Sequence, residues 1–168
     1  GYTGSGFLAG FTNPGNSAVS FTADIKDGNG PDGYFVHLRY SNGDATTKTM
    51  HVSVDGVAVG RLTLPSTKEW DSWAVRPASL GKLAAGQHTV SINQTSKDTG
   101  KINIDSLALL TSANADYPTQ GAATTQPCAF GSVCQAETGR LSGGAKVARD
   151  HNGYTGKGFV GGLITSDA

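Results

Sequence analysis

A single carboxylate interrupts an apolar stretch in the second half of the sequence. Asp105 lies inside INIDSLALL, residues 102–110, where isoleucine, leucine and alanine predominate. A carboxylate buried there must be paired with a cation or bound to a metal ion, and the alternative is that it faces solvent. The alternation does not decide, because the isoleucines before Asp105 are out of step with the leucines after it.

A tryptophan between two carboxylates occupies the turn KEWDSW, residues 68–73. Glu69 and Asp71 flank Trp70, and a glycosidase needs two carboxylates that face one cleft. Residues two apart in a turn are usually both solvated, so acid–base catalysis is not predicted. The chain lacks a G-x-S-x-G motif, and no metal-binding spacing relates its four histidines, His37, His51, His88 and His151. No enzymatic activity is therefore predicted for this chain itself.

The two cysteines lie close together in CAFGSVC. With no other Cys or His nearby to complete a metal set, Cys128 and Cys134 predict a local disulfide. A disulfide indicates an oxidising setting, so we expect a secreted, extracellular protein. Two free thiols in a cytosolic protein are the alternative.

Composition excludes several classes of partner. Lys plus Arg equals Asp plus Glu at 13 each, so no basic surface for nucleic acid or an anionic membrane is expected. No apolar run approaches the roughly 20 residues of a transmembrane helix. Only 15% of the residues are charged and 24 of 168 are glycine, which favours a many-turned β domain.

Period-two alternation is the main structural signal between residues 17 and 110. It runs through SAVSFTADI and YFVHLRY, and Asp55-Gly56 joins MHVSV to VAVGRLTL as a hairpin turn. Pro77 restricts AVRPASL to an edge or irregular strand. Short strands at this spacing predict an all-β fold, a jelly-roll β-sandwich of two antiparallel sheets.

The opening stretch GYTGSGFLAGF, residues 1–11, nearly recurs as GYTGKGFVGGL at 153–163. Such a repeat predicts a tandem array of like modules. Between the copies, residues 113–133 have the aperiodic composition of a linker. We expect residues 1–112 to form the body of a module and residues 134–168 to be the N-terminal strands of the next repeat.

Four segments together resemble the family 35 carbohydrate-binding modules and their family 6 relatives. They are QAETGRLSGGA, GYTGSGF, GYFVHLRYSNGD, and WDSWAVRPASLGKLAAGQHTVSI running on to NIDSLAL. The resemblance implies a jelly-roll β-sandwich, a structural calcium ion and a sugar site in loops at one end.

The order of these segments departs from the family, in which the QAE strand comes first. Here residues 134–152 supply that strand after the body of the module. The segment either completes the sandwich of its own chain, as a circular permutation, or inserts into a neighbouring chain as a strand-swapped dimer. We favour completion, because a sandwich without its first strand would expose an edge and part of its core.

The resemblance also implies roles for particular residues. Glu137 lies where the family keeps a calcium ligand, and Asp105 and Gln135 complete the expected set. For the sugar, Trp70 is the expected stacking platform, because a flat aromatic face suits a pyranose ring. Trp73 is expected in the core instead. Further sugar contacts are expected from Tyr2, its repeat copy Tyr154, Asn103 and Lys101.

These observations together predict a non-catalytic carbohydrate-binding module of a secreted polysaccharide-degrading enzyme. Its expected partners are a polysaccharide or oligosaccharide and a catalytic module in the parent chain. Two alternatives remain open at this point. One is an adhesive or spacer β-sandwich array without sugar binding, and the other is a fragment of a jelly-roll glycosidase.

Overall fold

The structure is a computed structural model that describes residues 7–9, 17–26, 33–118 and 127–151. It consists of two β-sheets of six strands each. The sheets pack face to face around one shared apolar core, which confirms the predicted β-sandwich. Within the described ranges, no helix is long and apolar enough to cross a membrane.

The strands are numbered β1 to β12 in chain order, and a short 3₁₀ helix, η1, follows β10. Their bounds are Phe7–Ala9, Ala18–Ile25, Tyr34–Ser41, Lys48–Val54, Val57–Leu64, Ala74–Gly81, Gly86–Asn93, Asn103–Leu110, Cys128–Ala129, Val133–Gln135, Arg140–Ser142 and Lys146–Ala148, with Ala136–Thr138 for η1. The first sheet has the order β12-β1-β8-β3-β6, and β10 also pairs with β8. The second has the order β11-β2-β7-β4-β5, and β9 also pairs with β2.

Alternate residues of the strands fill the space between the sheets, as the period-two pattern predicts. The largest of the almost fully buried side chains come from both sheets: Tyr40, Phe21, Ile25, Leu38, Met50, Leu62, Leu64, Leu80 and Ile92. Burying each contributes about 1.5–3 kcal/mol relative to exposure, so this core is the main source of stability.

Local turn and breaker residues act where the sequence predicts. Asp55 and Gly56 both have positive φ, at 51° and 82°, and join β4 to β5 as a two-residue hairpin. Pro77 lies in β6, which is an edge strand of the first sheet. An edge tolerates the missing N–H of a proline, so this prediction is also confirmed.

The phase conflict around Asp105 is resolved by a bulge in β8. Arg39 of β3 pairs with Ser106 and the next residue, Tyr40, pairs with Ile104, so Asp105 is an extra residue in the ladder. The extra residue shifts the alternation by one position. As a result, the apolar residues on both sides of Asp105 belong to the same core, and they are Ile102, Ile104, Leu107 and Leu109.

The outer face of the first sheet buries a polar network around Asp105. Arg39 Nη1 and Ser106 Oγ each donate to Asp105 Oδ2 at 2.7 Å, and the Tyr117 hydroxyl donates to Ser106 Oγ at 3.0 Å. Asp105 is 0% exposed, so the solvent-facing alternative is wrong. Burial raises the pKa of Tyr117, which keeps its hydroxyl protonated as a donor.

Trp73 lies outside the main core, so its predicted core position is wrong. It is half-buried and packs against Ala148, and the Arg39 guanidinium lies 5.2 Å from its ring centroid. The first strand residue after the turn is Ala74, which leaves Trp73 beside the outer-face network. An arginine stacked on an aromatic ring is a favourable contact there.

Residues 127–151 contribute strands to both sheets of their own chain. In the second sheet, β9 and β11 pair with β2. In the first sheet, β10 pairs with β8 and β12 pairs with β1. A disulfide joins Cys128 to Cys134 and links β9 to β10.

An Asp–His pair closes the end of the sandwich that carries the β4–β5 hairpin. His88 Nδ1 and Asp55 Oδ2 lie 2.7 Å apart, and the Thr89 backbone N–H donates to Asp55 Oδ1 at 2.8 Å. The hydrogen bond with His88 lowers the pKa of Asp55, and the hydrogen bond with Asp55 raises the pKa of His88.

We expect Asp55→Asn to reduce stability in a pH-dependent manner. The contribution of His88 to stability is complete below its unfolded pKa of 6.5 and is lost as the pH rises through its raised pKa in the folded chain. The contribution of Asp55 to stability is complete above its unfolded pKa of 3.8 and is lost as the pH falls through its lowered pKa in the folded chain. The variant should therefore lose most near pH 5.5, by less than about 1 kcal/mol because the pair is solvent-screened. Urea unfolding at pH 5.5 and 8.5 measures this, and an equal loss at both pH values would contradict it.

Candidate functional site

Three loops meet where β3, β5 and β7 end, and we call this part of the molecule the loop end. Its loops are residues 42–47, 65–73 and 94–102. Asn42 is fully buried and joins two of them: its Nδ2 donates to Thr46 O at 2.9 Å and Leu64 O at 3.0 Å, and its carbonyl accepts from Thr67 N at 2.8 Å. These hydrogen bonds therefore fix the first loop against the second.

Trp70 lies half-buried in the second of these loops. The Ser41 hydroxyl donates to Trp70 O at 2.8 Å. A Cβ atom on Gly43 would lie 2.5 Å from three atoms of the indole, so the ring occupies the space that a side chain at position 43 would need. Glycine at position 43 therefore lets the loop hold the indole close to the end of β3.

One further predicted residue lies beside Trp70, and a second is connected to it through Ser41. The Lys101 ammonium is 5.4 Å from the centroid of the Trp70 ring, within the range of a cation–π contact. Asn103, at the start of β8, pairs with Ser41, the residue that holds Trp70. The structure thus brings Lys101 to Trp70, whereas Asn103 is 7% exposed and is related to them only through its pairing with Ser41. The predicted Tyr2 and Tyr154 lie outside the described residues.

An aromatic ring with an ammonium group beside it suits a hydroxylated ring. The indole offers an apolar face for the C–H groups of a pyranose, and the ammonium group offers hydrogen bonds to its hydroxyls. The two carboxylates on either side of Trp70 are not counted among these sugar-binding groups. Glu69 and Asp71 are both exposed, and His151 Nδ1 lies 3.0 Å from Asp71 Oδ1.

The His151–Asp71 contact was not anticipated from the sequence. It joins the segment after β12 to the loop that carries Trp70, 80 positions away along the chain. No local pattern signals such a pair, because the proximity of the two residues depends on β12 pairing with β1. The contact holds the chain at the loop end just before the second GYTG copy.

The residues expected to bind calcium lie on neighbouring elements. Gln135 pairs with Ser106, next to Asp105, and Glu137 follows in η1. Gln135 and Asp105 are 1% and 0% exposed. Arg39 already donates to Asp105, and the described residues contain no group of three or more His, Cys, Asp or Glu that could hold a metal ion. The set therefore fits a calcium ion only in part, through oxygen donors on adjoining strands.

A scan against models of known protein families gives no match. Among curated proteins, the chain is 34% identical over 167 residues to a 1,6-α-glucosyltransferase from Sporosarcina globispora. The match covers 97% of this chain and 11% of that enzyme, so the chain spans about a tenth of this relative.

Solved structures with a similar fold include isolated modules and large enzymes. The family 35 carbohydrate-binding module from Cellvibrio japonicus Abf62 is 27% identical, with a TM-score of 0.53, over 65% of this chain and 76% of that one. A Paenibacillus cycloisomaltooligosaccharide glucanotransferase complexed with cycloisomaltoheptaose is 31% identical, with a TM-score of 0.57. That match covers 64% of this chain and 15% of the glucanotransferase. In fold and in sequence, the chain resembles a family 35 carbohydrate-binding module.

Proposed function

We propose that this chain is a non-catalytic carbohydrate-binding module that binds an α-1,6-linked glucan at the loop end. The observation that carries the proposal is the Lys101 ammonium beside the Trp70 indole at the loop end of a sandwich that resembles family 35 modules. The chemistry of these two side chains suits a sugar, and Asn103 at the start of β8 is proposed as a further hydrogen-bonding group.

The choice of glucan rests on the names of the relatives. One is a 1,6-α-glucosyltransferase, and another was solved with cycloisomaltoheptaose. A neutral glucan places hydroxyls, not carboxylates, near Lys101, whose ammonium then donates hydrogen bonds. Because water competes for each hydroxyl, a single site of this kind binds weakly.

The biological role proposed for the module is proximity. The parent chain is a secreted enzyme that acts on α-glucans, and the module keeps its catalytic part close to the polymer. The small share of the glucosyltransferase that this chain covers supports a role as an appended module. The Cys128–Cys134 disulfide supports secretion, since disulfides persist in oxidising compartments.

A structural calcium ion is proposed at Glu137, Gln135 and Asp105. Their carboxylate and carboxamide oxygens are the hard ligands that Ca²⁺ takes. Such an ion would link η1 and β10 to β8, where Arg39 also binds Asp105. The ion supplies a structural cross-link and takes no part in binding the sugar.

The chain is also proposed to be a monomer in which residues 134–151 complete its own sandwich. The strand pairs of β10, β11 and β12 with β8, β2 and β1 support this arrangement. A strand-swapped dimer would make the same pairs between chains. Gel filtration with light scattering distinguishes them, and a stable dimer would contradict the proposal.

We expect Trp70→Ala to reduce binding to dextran, an α-1,6-glucan, by at least about tenfold, because the stacking surface is lost. Affinity electrophoresis with dextran in the gel measures this. The matched control is Phe130→Ala, which removes an aromatic that is 44% exposed and packs edge-on to Tyr34 at the start of β3, far from the loop end. Binding that survives Trp70→Ala, or is lost equally in the control, would contradict the site.

Calcium should raise the melting temperature by roughly 5 to 10 °C when it is about a hundredfold above its Kd, because it binds only the folded chain. Differential scanning calorimetry with calcium and with EDTA measures the shift. The chain has two glutamates, which offer a matched pair of variants: Glu137→Gln should abolish the shift and Glu69→Gln should retain it. A melting temperature indifferent to EDTA would contradict the calcium site.

A further inference from the structure

The loop that delivers Lys101 to Trp70 is anchored by a buried carboxylate that the sugar-site chemistry does not use. The side chain of Asp98 is 0% exposed, although it lies in the loop between β7 and β8. Its backbone N–H donates to Thr95 O at 3.0 Å, which closes a turn. The charge of a carboxylate buried in a loop must be compensated by hydrogen bonds or by a cation. The groups around Asp98 therefore show which parts of the chain it joins.

The Asp98 carboxylate accepts hydrogen bonds within its own loop and lies beside nitrogen atoms from two strands of the second sheet. Its Oδ2 accepts from the Thr95 backbone N–H and hydroxyl, each at 2.8 Å, and lies 2.7 Å from His51 Nδ1 on β4. Its Oδ1 lies 3.4 Å from Arg61 Nε on β5. Desolvation raises the pKa of Asp98, but the hydrogen bonds from Thr95 and His51 outweigh it and hold the pKa below its ordinary value.

Further hydrogen bonds attach the same loop to β4 and β5. Arg61 Nη2 donates to Lys97 O at 2.9 Å and to Thr49 Oγ1 at 3.0 Å. Thr49 and Thr99 form two reciprocal hydrogen bonds. Thr49 N donates to Thr99 Oγ1 at 3.1 Å, and Thr99 N donates to Thr49 Oγ1 at 3.3 Å. We call residues 95–99 with His51 and Arg61 the Asp98 clasp.

The residues after the clasp have unusual backbone conformations. Gly100 has φ of 25°, and a Cβ atom there would lie 1.7 Å from Gln94 Nε2. Lys101 has φ of 64°, a left-handed value that is unfavourable for a non-glycine residue. Such a conformation persists only where the neighbouring structure imposes it. Here the clasp holds one side of Lys101, and the start of β8 at Asn103 holds the other.

We infer that Asp98 is a positioning residue of the sugar site: by fixing residues 95–99 on β4 and β5, it holds Lys101 over Trp70 and so organises the site before the ligand arrives. The inference rests on the proposed function. Asp98 itself is buried and reaches no ligand. Its effect acts through Lys101, whose ammonium lies 5.4 Å from the Trp70 ring. A site organised in advance binds more tightly because less freedom is lost on binding.

The chain contains a matched control for this idea. Asp55 and His88 form a second Asp–His pair of the same length, 2.7 Å, which also accepts a backbone N–H. That pair lies at the β4–β5 hairpin, at the opposite end of β4 from the loop end. Asp55→Asn therefore removes the same kind of interaction without touching the loop of Lys101.

The experiment compares Asp98→Asn, His51→Gln and Asp55→Asn with the wild-type chain. Isothermal titration with isomaltooligosaccharides gives the affinity, amide hydrogen exchange reports on residues 95–101, and the indole N–H resonance reports on Trp70. We expect Asp98→Asn to lose about tenfold in affinity, with faster exchange in the loop and a shifted Trp70 resonance. His51→Gln should give a smaller loss, and it serves as the test if Asp98→Asn does not fold. Asp55→Asn should keep wild-type affinity and loop exchange.

Two outcomes would overturn the inference. One is wild-type affinity in Asp98→Asn and His51→Gln despite faster loop exchange, and the other is an equal loss of affinity in Asp55→Asn. If the wild-type chain binds no isomaltooligosaccharide, the proposed function fails by itself. The clasp is then judged on the two remaining readouts: a Trp70 resonance and loop exchange unchanged in Asp98→Asn and His51→Gln would overturn it, and changes in both would support it.

Discussion

The insertion of Asp105 into β8 is the constraint on which the arrangement of the first sheet depends. The bulge shifts the alternation by one residue, so the side chains on both sides of it face one core. The same shift places a carboxylate on the outer face, where it is 0% exposed. A charge so placed is stable only beside a compensating cation, and Arg39 on the neighbouring strand provides it.

The ion pair in turn requires cover, which the chain after β8 supplies. Tyr117 donates to Ser106 beside the pair, and Ser112 O lies 2.9 Å from His37 Nε2 on the same face of β3. Residues 112–117 therefore lie on the outer face of the first sheet.

Much of the fold was predictable, because it depends on local rules. Alternation identified the core faces of β2 and β3, and Asp55-Gly56 and Pro77 act through their own backbone preferences. The predictions that failed depend on distant partners. Trp73 was expected in the core, but its position follows from Arg39 and Ala148. At the candidate site, Trp70, Lys101 and Asn103 were predicted from residue type and resemblance, and the structure shows Lys101 beside Trp70. Asp98 was missed, because an aspartate in TSKDTG looks like any turn residue.

The two ends of β4 show why similar pairs have different consequences. At the hairpin, the Asp55–His88 pair closes a turn whose shape Asp55-Gly56 already determines. At the loop end, a nine-residue loop must hold an unfavourable φ at Lys101, and its own sequence offers little to impose it. The free energy for that conformation comes from the buried contacts of Asp98 with β4 and β5. A shallow sugar site cannot supply it on binding, because each of its contacts is weak. The stabilisation must therefore be built into the folded sandwich.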